Sequence, residues 1–434
     1  MIDTVELAGA PLDPAMILAE LVITHGRATV TDPTSPSSAT LTILHPPGTM
    51  PTWAGGESAR LSGPAGPLFT GRVTDRTLTH HDDPDGTRWG LFTVTAMGAA
   101  ARLGLRPVGD QPWPQEPAAA RATRILALSG LPHTVQAGPV DHPVTARDAD
   151  ATTARDLLDE LAASTGAAVV DTPAGAVLFQ TLSGRQRPVF PWRWRDFDPS
   201  FRWADFDPAL TWAGDPPSVA EWPSPASTFP IALPPDAVEW EPEWAASEAT
   251  VVNHVRLAYG TAPEGGEQPT VELDDPTSIA RHGRRYRFTR TTLATEAAAL
   301  DRAGHLITTQ ARDRWALLEV RVALDALDQD TAARLLGAVC GAHITIRGLP
   351  QPAPARDWTG ILEGWTYEQQ ATDAGISRTL TLALSDPLHS MAVMRWADFP
   401  AWATWADFPA WATWDDLTDL PAIGWPTTPE RTDA

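Results

Sequence analysis

The chain has 434 residues, 43% of them hydrophobic, which is enough for roughly three domains with filled cores and excludes a disordered protein. Its 54 acids against 32 bases give a formal charge of -22, which argues against wrapping nucleic acid, where basic stripes supply most of the affinity. The single cysteine, Cys340, excludes an internal disulfide framework and a multi-Cys zinc site, and reads as a small core hydrophobe.

All the bases are Arg, and Asn253 is the one Asn; this bias of a GC-rich genome leaves Arg by itself with little functional weight. The opening "MIDTVELAGAPLDPAM" is acidic and lacks the basic and apolar regions of a secretory signal. No stretch approaches the ~20 apolar residues of a membrane span. Synthesis in a cytoplasm is expected, with any other location reached by assembly or lysis.

The first hundred residues predict short strands: "LAELVIT" near Leu18, "ATLTIL", "LFTGRVTDRTLT" and "GLFTVTA". Leu41 and Ile43, and then Phe92, Val94 and Ala96, alternate with polar residues, as in a half-buried antiparallel sheet or barrel. "HHDDPDGTR" supplies the hairpin turn, with Asp-Gly at its tip; it lacks the spaced acids and closing Glu of a calcium loop. From about Pro114 the period becomes helical. "DADATTARDLLDELAASTG" places Ala154, Leu157, Leu158 and Leu161 on one face, with Asp and Thr candidates for the N-cap and Gly166 past the end. The strand "AAVVD" and its hairpin partner "GAVLFQ" complete a small α/β insert.

Between Trp192 and Glu248 lies a Pro-rich, Trp-rich, acidic segment in which a nine-residue phrase repeats, with Trp194, Trp203 and Trp212 in register. Strand patterns return at "VVNHVRLAYG" and, after a helical run through "EAAALDRAGHLITTQARDR", at "LLEVRVALDAL", "AHITIRG", "WTGILEGWTYE" and "ISRTLTLALSD". The phrase then recurs near the end, where Trp396, Trp405 and Trp414 open successive copies and Trp402 and Trp411 lie between them. Thr-Trp-x-Asp has the spacing of a helix N-cap, and the following Pro stops the helix, so a string of single turns is expected.

Two β blocks share an order of features. Phe69-Thr70-Gly71-Arg72-Val73 lies over Trp358-Thr359-Gly360-Ile361-Leu362, each ahead of a polar loop and an alternating strand. Gly71 and Gly360 fall in mid-strand, where Gly marks a bulge or a tight barrel corner. The alternatives are chance likeness between β-rich segments and two related barrels in one chain; a homotrimer of the latter would present six quasi-equivalent barrels in a ring.

In this order, "LFTGRVTD", "RDLLDELAASTGAAVVDTPAGAVLFQ", "VVNHVRLAYG" with "DDPTSIARHG", the Ala-rich helix and "ILEGWTYE" with "TLTLALSD" resemble the baseplate-hub-like proteins of phage tails, the minor tail proteins of siphophages with GC-rich actinobacterial hosts. The resemblance covers about Thr4 to Pro387, and none of its motifs is catalytic. It implies a mainly β fold with an α/β insert: a first barrel over 1–110, an α/β insert over 111–190 and a Trp/Pro-rich acidic segment over 191–249. A second barrel follows over 250–390, interrupted by a helical insertion at about 275–314, and the C-terminal Trp-repeat arm covers 391–434. It further implies a homotrimer at the virion's tail tip, where its pseudo-six-fold ring joins the tail tube and distal tail protein to the three-fold tip. Tape-measure and receptor-binding proteins dock there, and DNA passes without specific binding.

The Trp arrays are expected to pack on the body or on a neighbouring subunit, because so much exposed aromatic surface invites aggregation. The alternative is glycan binding for host-surface recognition, with Trp faces stacked on sugar rings. The scattered His and the absence of HExxH, GxSxG or P-loop phrases argue against an enzyme. Asp196 with Asp198, or Asp205 with Asp207, has the make-up of a glycosidase pair, but a copied pair is a poor active site. No cofactor or metal is expected.

Overall fold

The computed structural model describes residues 2–185 and 231–386, apart from short gaps at 31, 52, 65, 83, 139, 239–242, 264–265, 314, 350–352, 354–357 and 373–374. Both Trp arrays, from Trp194 to Trp212 and from Trp396 to Trp414, lie outside the described residues, as do the Asp196/Asp198 and Asp205/Asp207 pairs.

The N-terminal strands are β1 (Thr4–Leu7), β2 (Ile17–Gly26), β3 (Ser38–His45), β4 (Ser58–Gly63), β5 (Gly66–Asp82) and β6 (Arg88–Met97). Alternation sets their inner face: Leu41, Ile43, Val94 and Ala96 are buried, and Phe92 joins them. The β5–β6 hairpin turns through Gly86 at φ +83°, where a glycine is needed, and Arg88 grips Asp82 at its mouth at 2.6 Å.

An α/β unit follows, built on α1 (Ala118–Ser129), β7 (His133–Gln136), α2 (Ala154–Thr165), β8 (Ala168–Asp171), β9 (Val177–Gln180) and α3 (Leu182–Arg185). The Thr153 side chain caps α2 by accepting the Asp156 amide, and Gly166 ends the helix in the left-handed region at φ +76°. Leu157, Leu158 and Leu161 face α1 and the sheet, each contributing roughly 1.5–3 kcal/mol through burial.

The second β block contains β10 (Ile231–Leu233), β11 (Glu243–Ala245), β15 (Ala316–Ala323), β16 (His343–Ile346), β17 (Trp358–Thr372) and β18 (Gly375–Ser385). Between β11 and β15 sits a three-stranded sheet of β12 (His254–Ala258), β13 (Thr270–Asp274) and β14 (Tyr286–Arg290), with α4 (Pro276–His282) and α5 (Glu296–Gln310). The strand in "VVNHVRLAYG" pairs here, with β13 and β14, rather than in the second block. Ala298, Ala299, Ala303, Leu306 and Ile307 form the apolar face of α5. Helix α6 (Gln329–Leu336) precedes β16 and tucks Leu335 and Leu336 into the main core.

The two blocks join in one thirteen-stranded sheet, which runs β11-β15-β18-β17-β2-β3-β6-β5-β4-β1 and ends in the two-residue strand Ala10–Pro11 beside β1, with β16 attached to β17 and β10 to β16. One apolar cluster from Val5 to Leu384 fills both blocks. The fold is mainly β, with the α/β unit and the three-stranded unit set off to the side.

Candidate functional site

The two blocks repeat one ladder. In β5, Gly71 faces Ala59 of β4; in β17, Gly360 faces Ile344 of β16. On the other side, Arg72 and Val73 pair with Met97 and Ala96, and after a slip at Thr74, Asp75 pairs with Thr95. Ile361 and Leu362 pair with Ser385 and Leu384, and after a slip at Glu363, Gly364 pairs with Ala383. The bulge follows at the same distance from the glycine in both blocks. Each glycine also lies under the aromatic ring two residues before it: a Cβ at Gly71 would strike the Phe69 ring and the Met97 carbonyl, and one at Gly360 would strike the Trp358 ring and approach the Ser385 carbonyl. The shared aromatic-Thr-Gly phrase thus marks a place where ring and backbone fill the space of a side chain. The ladders differ at one flank: β1 pairs antiparallel with β4, whereas β10 pairs parallel with β16.

The blocks meet at a seam. Beyond its bulge, β17 pairs with β2 from Gly364 opposite Gly26 to Gln369 opposite Leu21. The Thr24 and Thr366 hydroxyls lie 3.4 Å apart across it. His25 lies against Trp365 with ring centres 4.5 Å apart and the planes tilted by 42°, donating to the Leu68 carbonyl at 2.9 Å and accepting from the Ser37 hydroxyl at 2.8 Å. Burial pushes the His25 imidazole down to about 4, so it is neutral near pH 7. Gly26 and Gly364 let the two backbones cross; a Cβ on Gly364 would meet the His25 and Arg27 backbones at 2.6 Å.

At the head of the seam the bulge residue Glu363 is fully buried. Arg27 reaches it at 2.7 Å, Arg185 at the end of α3 reaches it at 2.7 Å, and the Ser385 hydroxyl donates at 2.7 Å. Burial works against the charge, but the two guanidiniums overcome it and hold the carboxyl below its ordinary range. Four segments therefore converge on one carboxylate: the turn just past β2, the end of α3, β17 and β18. Cys340 is buried beside it, with its thiol on the Glu363 carbonyl at 2.9 Å and pushed up to about 12 by burial. Such a thiol is packing, not a nucleophile. Asp171 of the α/β unit anchors to the first block by accepting the Ser37 and Ala100 amides at 2.8 and 2.7 Å.

Sequence reasoning singled out Gly71 and Gly360 and missed Glu363. Its signal was an acid inside the apolar run "ILEGW", next to a glycine. A cleft of about 320 Å³ lies between the two side units, lined by polar groups such as Arg121, Arg147, Glu160 and Arg290 and by apolar ones such as Trp113 and Leu161. Arg121 stacks on Trp113 at 5.3 Å and is tied to Glu116 at 2.7 Å, so that aromatic face is covered. Among the described residues no group of three His, Cys, Asp or Glu is placed to hold a metal, and no helix is long and apolar enough to cross a membrane.

No protein-family model and no curated protein matches the chain. Solved structures do. The 43 kDa tail protein of prophage MuSo2 from Shewanella oneidensis superposes with a TM-score of 0.57 at 12% identity, covering 90% of this chain and all of that one. The tail protein from Neisseria meningitidis MC58 gives 0.57 at 13% identity, over 89% of this chain and 97% of that one. At such identities the likeness is one of fold, and the chain has the fold of these two tail proteins.

Proposed function

We propose that the chain is a non-enzymatic structural hub of a phage tail tip: a homotrimer in which two barrel-like blocks per chain alternate around a pseudo-six-fold ring. The observation that carries this reading is the ladder repeated within one chain, with the same glycine, bulge and register in both blocks. Two quasi-equivalent modules per chain and three chains give six positions, which matches a six-fold tube to a three-fold tip. The fold shared with two tail proteins supports a place in a virion.

In this reading the first and second barrels carry the α/β insert and the helical insertion as side units, divided as the sequence suggests. The distal tail protein sits on the tube side, and the tape-measure and receptor-binding proteins lie towards the tip. DNA crosses the lumen without being held, which the net charge of -22 favours. The arrays around Trp194, Trp203 and Trp212 and around Trp396, Trp402, Trp405, Trp411 and Trp414 pack on the body or on a neighbouring subunit, and Gly71 and Gly360 act as barrel-corner residues.

Light scattering of the purified chain across a concentration series tests the reading. Three chains of 46.6 kDa each are expected per particle. A monomer at every concentration removes the ring.

A further inference from the structure

The repeated ladder has one unequal feature. In the second block, the half of β17 beyond the bulge is sheltered by β2, and its Trp365 and Tyr367 are 2% and 0% exposed. In the first block, the matching half of β5 pairs with β6 alone. From Arg76 to His80 no strand lies on its other side among the described residues, and all five residues are exposed. Arg76 stands where the second block has Trp365, and Leu78, 43% exposed, stands where it has Tyr367. A bare strand edge carrying an exposed leucine is a template for another strand.

The strand that would cover it is also identifiable. β2 is bonded to β3 on one side and to β17 on the other; the strand in its place in the second block is β11, which is bonded to β15 and has no strand on its other side among the described residues. β3 and β15 correspond because they flank β6 and β18 in the same register: Thr40 opposite Thr95, and Glu319 opposite Ala383. Following that register outward, Trp244 takes the place of Thr24, and Ala245 that of His25.

We propose, within the ring reading above, that the β5 edge from Arg76 to Thr79 pairs antiparallel with β11 of a second copy of this chain, setting Arg76 opposite Ala245 and Thr77 opposite Trp244. The seam inside the chain is then repeated between chains. Strand addition of this kind draws affinity from backbone hydrogen bonds and specificity from alternate side chains. The contact is head-to-tail, β5 edge to β11 edge, so it propagates around a ring instead of stopping at a dimer. Asp75 occupies the position of Gly364, where a Cβ would block the crossing of the Arg27 backbone, so the pairing begins at Arg76. It also covers Leu78.

The test is disulfide trapping in the full chain, whose own Cys340 is buried. The pair Thr77→Cys with Trp244→Cys is oxidised and run without reductant, alongside Arg76→Cys with Ala245→Cys in case loss of the Trp244 ring weakens folding. Thr24→Cys with Thr366→Cys, whose hydroxyls already touch inside one chain, is the positive control and closes without joining chains. Thr77→Cys with Tyr286→Cys, on a different sheet, is the negative control. Expected is a covalent ladder that ends at three chains for at least one of the first two pairs, with none for the negative control. A trimer by light scattering in which both pairs stay single-chain overturns the strand pairing and leaves the ring reading standing. A ladder running past three chains supports the pairing and overturns the closed trimer; a monomer that never links overturns both.

Discussion

The two halves of the long sheet carry the same ladder but are finished differently. At the bulge, the second half places Glu363, fully buried and bound by two arginines, whereas the first half places Thr74, exposed to solvent. Four residues past the bulge the contrast repeats, with Tyr367 sealed and Leu78 half open. One half is completed by β2 from its own chain and the other is left with an edge. The difference teaches that ladder geometry comes from local features, a glycine, a ring and a bulge, while burial depends on which strand arrives alongside.

The largest expected effect is at the bulge. Glu363→Ala strands the Arg27 and Arg185 guanidiniums in the interior and should cost about 3–5 kcal/mol, read as a shift in the urea midpoint. Thr74→Ala at the matching position should stay within about 0.5 kcal/mol. A similar loss at both would break the comparison. Tyr367→Ala should cost about 3–5 kcal/mol, as for other large core aromatics, whereas Leu78→Ala should leave the isolated chain within about 1 kcal/mol and act on assembly, weakening the trimer in a dilution series.

The seam also sets a pH response. His25 is buried neutral, with its imidazole held down to about 4 against an ordinary 6.5. The unfolded chain takes up the proton first, so this contribution is complete above pH 6.5 and is lost as pH falls towards about 4, by up to about 3 kcal/mol. Glu363 acts in the same direction at lower pH, because its carboxyl is held down in the fold and its contribution goes as the carboxylate is protonated. Melting temperatures between pH 7 and pH 5 should fall, and His25→Gln should flatten that slope. Most alike are the glycines: Gly71→Ala and Gly360→Ala should each cost about 1–3 kcal/mol, since each new methyl meets a ring and a carbonyl. Unequal losses would show that the two corners are not the same device.

Much of the β architecture was legible from residues alone. Alternation at Leu41 and Ile43, the Asp-Gly hairpin, the cap and stop of α2, and the aromatic-Thr-Gly phrase all depend on neighbours a few residues apart. The seam was not, because it joins Thr24 to Thr366 and no local pattern selects a strand partner so far along the chain. The same limit explains why "VVNHVRLAYG" announced a strand but not its sheet. Glu363 was hidden for a related reason: two of the cations that hold it there, Arg27 and Arg185, come from other parts of the chain. The sequence pattern also does not distinguish two barrels closed on themselves from the continuous sheet seen in the described residues.

Electron microscopy of the purified oligomer, viewed down its axis, tests the equivalence of the two halves most directly. Six densities at even spacing around a central channel are expected, with the intra-chain and inter-chain borders alike. A particle with three separated lobes, each holding one chain's pair of blocks with its β5 edge facing solvent, would contradict it.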